Sequence, residues 1–127
     1  MKKILILGGG FAGIYTAKNL QKQNIENYEI ELISDNNYFI FQPLLPEVAS
    51  GTIYSSDAVT PIRQMLKGIK YRNAEISSLD FNNKRVSILQ GFKKSTHSIQ
   101  YDHLIIALGQ VSNLDIVKGL SLIHIWR

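Results

Sequence analysis

The stretch that most constrains this chain is Lys2 to Gly13, Lys-Lys-Ile-Leu-Ile-Leu-Gly-Gly-Gly-Phe-Ala-Gly. An apolar run, Ile4 to Leu7, enters a glycine cluster, and a helical pattern leaves it. A short apolar run closed by glycine reads as a buried strand. Gly8, Gly10 and Gly13 carry the Gly-x-Gly-x-x-Gly spacing. Each has a separate physical task. Gly8 permits the tight turn out of the strand. Gly10 has no side chain, so backbone can approach a pyrophosphate. Gly13 lets the helix pack closely on the strand. The free N–H groups and positive dipole end of the helix would then face the anion.

That spacing alone is weak, and its context gives it weight. After the glycines, Phe11, Ile14, Ala17 and Leu20 recur at helical spacing through about Gln23. Lys18, Asn19, Gln21 and Lys22 fall on the far side, and Asn24 is a stop signal. Tyr28 to Ile33 reads as a second strand, and an acid, Asp35, closes it. This order predicts a β-α-β unit of parallel strands with a right-handed crossover. Asp35 lies 22 residues beyond Gly13, near the usual distance for a carboxylate that binds a ribose hydroxyl. The bland alternative is a glycine turn in an unrelated α/β unit. The strand–glycine–helix–strand–acid order favours a dinucleotide loop.

From Asn36 to Gly51 the pattern changes. Tyr38-Phe39-Ile40-Phe41-Gln42-Pro43-Leu44-Leu45-Pro46-Glu47 is apolar and aromatic, broken by two prolines, and follows no helix or strand period. Such a segment is expected to be buried against a flat cofactor ring, a subunit or another domain. Ser55-Ser56-Asp57 offers N-cap chemistry for a helix over Asp57 to Leu66, with Pro61 in its first turn or at a kink and Lys67-Gly68 at its end. Strands follow at Ile69 to Leu79, Arg85 to Leu89 and Ser98 to Tyr101. Asp80 to Lys84 and Gly91 make the turns. Leu104 to Ala107 is a short apolar strand running into Gly109, suited to the parallel sheet. The fold class is α/β: a Rossmann-like β-α-β unit with a parallel sheet, plus an antiparallel β-meander, truncated.

Composition narrows the classes. At 127 residues the chain is one small domain or part of a larger one. It has no cysteine, so disulfide frameworks, thiolate metal sites and paired redox thiols are excluded within it. Met1-Lys2-Lys3 is no signal peptide, because the apolar run ends in glycine after four residues. A cytoplasmic location is the default expectation. The charge of +4 comes from scattered Lys and Arg residues, without the basic stripe and interleaved aromatics of a nucleic-acid surface. A solvated surface accounts for it, and no nucleic-acid partner is expected. His97, His103 and His124 show no metal-ligand spacing, so no metal is expected.

The glycine loop, Tyr38 to Gly51 and Tyr101-Asp102-His103-Leu104-Ile105-Ile106-Ala107-Leu108-Gly109 together resemble the FAD-binding start of the two-dinucleotide-fold flavoprotein oxidoreductases. Phe41-Gln42-Pro43-Leu44-Leu45-Pro46-Glu47-Val48-Ala49-Ser50-Gly51-Thr52 is similar to the type II NADH dehydrogenases, the non-pumping NADH:quinone oxidoreductases. The likeness runs from about Lys2 to Gly119. It implies that Gly8, Gly9, Gly10, Phe11, Ala12 and Gly13 surround the FAD pyrophosphate and that Asp35 binds the adenosine ribose. It places Pro43, Leu44 and Leu45 near the isoalloxazine. It makes Ala107, Leu108 and Gly109 the return strand beside the cofactor, with Leu108 where threonine is commoner. The implied reaction is hydride transfer from NADH to the flavin, then electron transfer to quinone. The flavin supplies that chemistry, so no catalytic residue is expected here. The full-length family would sit peripherally at the inner face of the cell membrane, and a homodimer is compatible with it. The second glycine loop, for NADH, and the membrane-facing helices of that family are not in this sequence. The chain is therefore expected to correspond to the first quarter to third of such an enzyme and to be inactive alone. Two alternatives stand beside this reading. One is a sulfide:quinone or pyridine nucleotide–disulfide oxidoreductase, weakened by the lack of cysteine. The other is a non-enzymatic nucleotide-binding module, weakened by the Tyr38 to Gly51 segment.

The tail reads differently. Leu120-Ser121-Leu122-Ile123-His124-Ile125-Trp126-Arg127 could pass for a strand. It also resembles a translated transposon-end sequencing adapter, with TGA read as tryptophan. The expected division is an N-terminal part of an FAD-binding domain over residues 1–119 and a non-native tail over 120–127.

Overall fold

The computed structural model describes residues 1–110. Strand β1 (Lys2–Leu7) is followed by helix α1 (Phe11–Lys22) and strand β2 (Tyr28–Ser34). β1 and β2 are parallel, with Leu5 opposite Glu31 and Leu7 opposite Ile33. On its other side β1 pairs in parallel with β9 (His103–Ile106), and β2 pairs in parallel with β5 (Lys70–Asn73). The sheet order is β5-β2-β1-β9. β1 lies inside because both its faces are apolar, and side chains alternate across a strand. Ile4 and Ile6 join Ile14 and Ala17 of α1, Leu32, Phe39 and Ile62 on one face. Leu5 and Leu7 join Ile33, Val86, Ile88, Ile99 and Tyr101 on the other. Each fully buried Leu or Ile of this kind contributes about 1.5–3 kcal/mol.

The second face is covered by the antiparallel meander β6 (Glu75–Asp80), β7 (Arg85–Gln90) and β8 (Ser95–Gln100). Its first turn is set by Asp80, whose carboxylate accepts hydrogen bonds from the Asn83 backbone N–H at 3.0 Å and the Asn83 amide at 2.7 Å. These bonds hold the Asp80 carboxyl below its ordinary pKa. Asp102 stands where the meander re-enters the sheet. Its carboxylate accepts from the Lys3 N–H at 2.7 Å, and its own N–H donates to the Lys3 carbonyl at 3.0 Å.

Two expected elements are different in the structure. The helix over Asp57 to Leu66 is a 3-10 turn at Ser55–Ala58, a strand β4 (Val59–Pro61) and a four-residue helix α3 (Ile62–Met65). Val59 and Thr60 are β-branched, and the proline at 61 pushes the residue before it out of helical space. β4 pairs antiparallel with β3 (Tyr38–Ile40), and the Ile62 N–H donates to the Asn37 carbonyl at 3.0 Å. The single strand over Ile69 to Leu79 is two. β5 belongs to the parallel sheet and β6 to the meander. Ala74 between them is buried where the chain changes sheets, and its N–H donates to Ser34 O at 2.9 Å. Between β3 and β4, the Pro-Leu-Leu-Pro stretch forms a 3-10 turn, Gln42–Leu44, and a short helix α2 (Leu45–Ala49). The expected boundary at residues 119 and 120, and the tail reading, lie outside the described residues.

Candidate functional site

The C-terminal ends of β1, β2 and β9 open into a cleft of about 920 Å³. The loop after β1 forms its floor. Gly8 has φ +108°, a left-handed conformation that L side chains rarely adopt. A side chain there would collide with the Ala107 carbonyl. The Gly8 N–H donates to Ile33 O, and the Ala107 N–H to Leu7 O, both at 2.8 Å. The turn is thus tied to both neighbouring strands. A Cβ on Gly9 would meet Ile62 Cδ1 and Ser34 Oγ at 2.7 Å. One on Gly13 would collide with the Gly8 carbonyl, so Gly13 packs the helix onto the turn itself rather than onto the strand body.

Gly10 is the exception. It lines the cleft with φ −84° and ψ −166°, a conformation open to any residue, and a Cβ there would meet no protein atom within 4 Å. It precedes the twelve-residue α1, whose first bond runs from the Ile14 N–H to the Gly10 carbonyl at 3.0 Å. The N–H groups of Phe11, Ala12 and Gly13 therefore have no carbonyl within their own helix to bond. No side chain caps this end. The arrangement offers several donors and a positive dipole end to an anion standing over Gly10.

Asp35 follows β2 directly, is exposed and lines the same cleft. Its carboxylate accepts from the Asn36 amide at 3.2 Å. Ala107, Leu108 and Gly109 line the opposite wall, and Gly109 has φ +70°. Gly8, Gly9, Gly10, Phe11 and Ala12 are thus brought together with Asp35 and Ala107 to Gly109, while Gly13 sits buried behind them. Pro43, Leu44 and Leu45 are not in the lining. Tyr38, Phe39, Ile40 and Gln42 reach it from that segment instead. Phe39 is buried and meets the Phe11 ring edge-on, with centroids 4.9 Å apart.

Sequence reasoning missed Ser34, Asn36, Ala74, Glu75 and Ile76, which also line the cleft. Ser34 is nearly inaccessible, and its hydroxyl accepts from the Asn36 N–H at 3.3 Å. Its place just before Asp35 was the available signal. Ala74 to Ile76 carried none, because their approach depends on where β5 gives way to β6. A second depression, about 420 Å³, lies at the other end of the sheet, lined among others by Met1, Leu20, Tyr28 and Gly68. Open α/β sheets bind ligands outside the carboxyl ends of their strands, so the first cleft is the candidate. Among the described residues no His, Asp and Glu cluster could hold a metal ion. Nor is any helix among them long and apolar enough to cross a membrane.

Comparison with known proteins agrees with this geometry. A family model described as pyridine nucleotide-disulphide oxidoreductase matches residues 2–125. The external alternative NAD(P)H-ubiquinone oxidoreductase B2 of Arabidopsis thaliana mitochondria is 38% identical, over 94% of this chain and 22% of its own length. The type II NADH:quinone oxidoreductase of Staphylococcus haemolyticus is 35% identical, over 94% of this chain and 29% of its own. NDH2 from Plasmodium falciparum, solved in complex with NADH, superposes with a TM-score of 0.79 at 31% identity, over 94% of this chain and 25% of that one. The chain thus spans 22% to 29% of the length of these proteins.

Proposed function

The chain belongs to the pyridine nucleotide-disulphide oxidoreductase family, and we propose that residues 1–119 are the FAD-binding portion of a flavin-dependent NADH:quinone oxidoreductase. The observation that carries this reading is Gly10. It is the one position of the glycine motif where a side chain would enter open space, and it stands before unpaired helix N–H groups. A diphosphate fits a cradle of that kind, because a Cβ would occupy the space its oxygens need.

In this reading Gly8, Gly9 and Gly13 hold the loop in shape. Gly10, Phe11 and Ala12 present backbone N–H groups to the pyrophosphate. Asp35 accepts hydrogen bonds from the adenosine ribose. Ala107, Leu108 and Gly109 bound the cofactor on the β9 side. Pro43, Leu44 and Leu45 face the isoalloxazine end, beyond the part of the cleft that Gln42 lines. The bound flavin would supply the redox chemistry between NADH and quinone. The chain's own residues bind it, orient it and keep water from part of its surface. The relatives named for NAD(P)H and ubiquinone, or for NADH and quinone, support this choice of donor and acceptor. For the whole enzyme we propose a peripheral position at the inner face of the cell membrane with the bulk of the protein in the cytoplasm, a homodimer, and no nucleic-acid partner.

The test is flavin content. The enzyme in its full length should purify with FAD, and Gly10→Val should lose it while keeping its fold. Full FAD occupancy in a folded Gly10→Val protein would remove the reading. Quinone-dependent NADH oxidation by the unsubstituted enzyme tests the reaction itself.

A further inference from the structure

The carboxylate of Asp35 can select a ribose only if its backbone is fixed, and the regular sheet does not fix it. The β2–β5 ladder ends at the pair Ser34 and Asn73. Beyond it the Ala74 N–H still bonds Ser34 O, at 2.9 Å, but β5 then leaves for the meander. The carbonyls of Asp35 and Asn36 are left without backbone donors from β5. Two β5 side chains replace them. The Asn73 amide donates to Asp35 O at 2.9 Å and to Ser34 O at 3.2 Å. The Tyr71 hydroxyl donates to Asn36 O at 2.8 Å and lies 3.3 Å from the Asn73 amide. The two hydrogens of the Asn73 amide are shared among Asp35 O, Ser34 O and the Tyr71 oxygen, which draws amide, phenol and carbonyls into one cluster. Tyr71 is itself braced, its ring 5.8 Å from the Arg63 guanidinium.

We propose that Asn73 and Tyr71 are positioning residues for Asp35. Their side chains continue the ladder past its end and hold the peptide from which the Asp35 carboxylate enters the cleft. The inference rests on the nucleotide reading of that cleft. It adds that preference for a ribose hydroxyl is set by two residues on the neighbouring strand, which need not touch the ligand. Charged hydrogen bonds depend steeply on direction, so freeing the turn should cost the ribose contact and spare the diphosphate contact.

The experiment titrates this chain and its variants with ADP and 2′-deoxy-ADP. The unsubstituted chain should prefer ADP by roughly tenfold, the worth of one hydrogen bond to a charged group. Asn73→Leu should bring ADP down to the level of 2′-deoxy-ADP, whose own binding should change less than about twofold. Tyr71→Phe keeps the ring against Arg63 and should lose part of the preference. Asn73 is exposed, so its replacement leaves the core intact. Equal weakening of both nucleotides by Asn73→Leu would mark a merely structural role and overturn the proposal. So would an unchanged preference. If Gly10→Val abolishes ADP binding while Asn73→Leu leaves the preference intact, the nucleotide site stands and the positioning role falls. If the unsubstituted chain binds neither nucleotide, the cleft reading falls first and takes this inference with it.

Discussion

From Leu7 to Gly13, backbone packs on backbone. Gly8 touches Ala107, Gly13 touches Gly8, and two hydrogen bonds at 2.8 Å tie the turn to its neighbours. From Tyr38 to Gly51 the chain is richer in apolar side chains but has far less support. Phe39 is buried, yet Tyr38, Ile40, Phe41 and Leu45 are between 36% and 45% exposed. Both regions border the candidate cofactor site. The first is rigid before any ligand arrives, with one open position. The second presents apolar surface that further contacts must cover. The difference teaches that the same site has one part built for shape and another built for contact, so substitutions in the two should separate folding from binding.

The largest effect should come from closing the rigid part. Gly8→Ala and Gly13→Ala each place a methyl group on a carbonyl oxygen, and Gly8 adds an unfavourable φ. Each should destabilise by about 2–4 kcal/mol, read as a lower urea midpoint. Wild-type midpoints in both variants would show that the loop is not held as described. Next is Gly10→Val. Its backbone conformation is open to valine and its Cβ meets nothing, so stability should move by no more than about 1 kcal/mol, the scale of a cap substitution. ADP binding should vanish. A stability loss as large as that of Gly13→Ala would erase the distinction between the two kinds of glycine.

In the contact region, Leu45→Ser should change stability by about 0.5 kcal/mol or less, as at an exposed position. In the full-length enzyme it should still impair reaction with quinone. A sizeable fall in stability with unaltered activity would reverse the roles assigned to the two regions.

The smallest effect is a control in neither region, on the ion pairs between β1, β2 and β5. Lys3 lies 3.3 Å from Glu29 and 3.0 Å from Glu31, and Lys70 lies 3.3 Å from Glu29. Burial alone would lower the Lys3 pKa, but Glu31 and Glu29 outweigh it and hold it above its ordinary value. Its contribution is present below the unfolded value, about 10.4, and is lost as pH rises through the folded one. Burial alone would raise Glu29, but Lys70 and Lys3 outweigh it and hold it below its ordinary value. Its contribution is present above the unfolded value, about 4.3, and is lost as pH falls through the folded one. Glu29→Gln should flatten the acid limb of a urea-midpoint profile by no more than about 0.3 kcal/mol, because these groups are partly exposed and screened. An acid limb unchanged by that substitution would assign it to other carboxylates.

The rigid part was legible because its signals are local. Glycine spacing, the helical stripe of Ile14 and Ala17, and Asp35 after the strand all sit within one β-α-β unit, and the structure has that unit. The resemblance to type II NADH dehydrogenases, drawn from the Pro-Leu-Leu-Pro stretch, agrees with the relatives found. What was illegible depends on distant partners. Glu31 is a charged residue in the second strand, yet its side chain is fully buried. The meander covers its face of the sheet, and Lys3 and Arg72 reach Glu31 from other strands, at 3.0 and 2.9 Å. Residues 57–66 had helix-cap chemistry, but pairing with Tyr38 to Ile40 and the constraint of Pro61 prevailed. The cleft wall at Ala74 to Ile76 exists because the chain changes sheets there, which no spacing within one strand announces.

The central claim is that the unpaired N–H groups before Ile14 bind a diphosphate. Amide NMR of the chain titrated with ADP tests it most directly. The backbone signals of Phe11, Ala12 and Gly13 should shift together and saturate, with Asp35 following, and Gly10→Val should abolish the change while leaving the rest of the spectrum in place. Saturable binding that leaves Phe11 to Gly13 unmoved and shifts the residues around Leu20, Tyr28 and Gly68 instead would contradict the account.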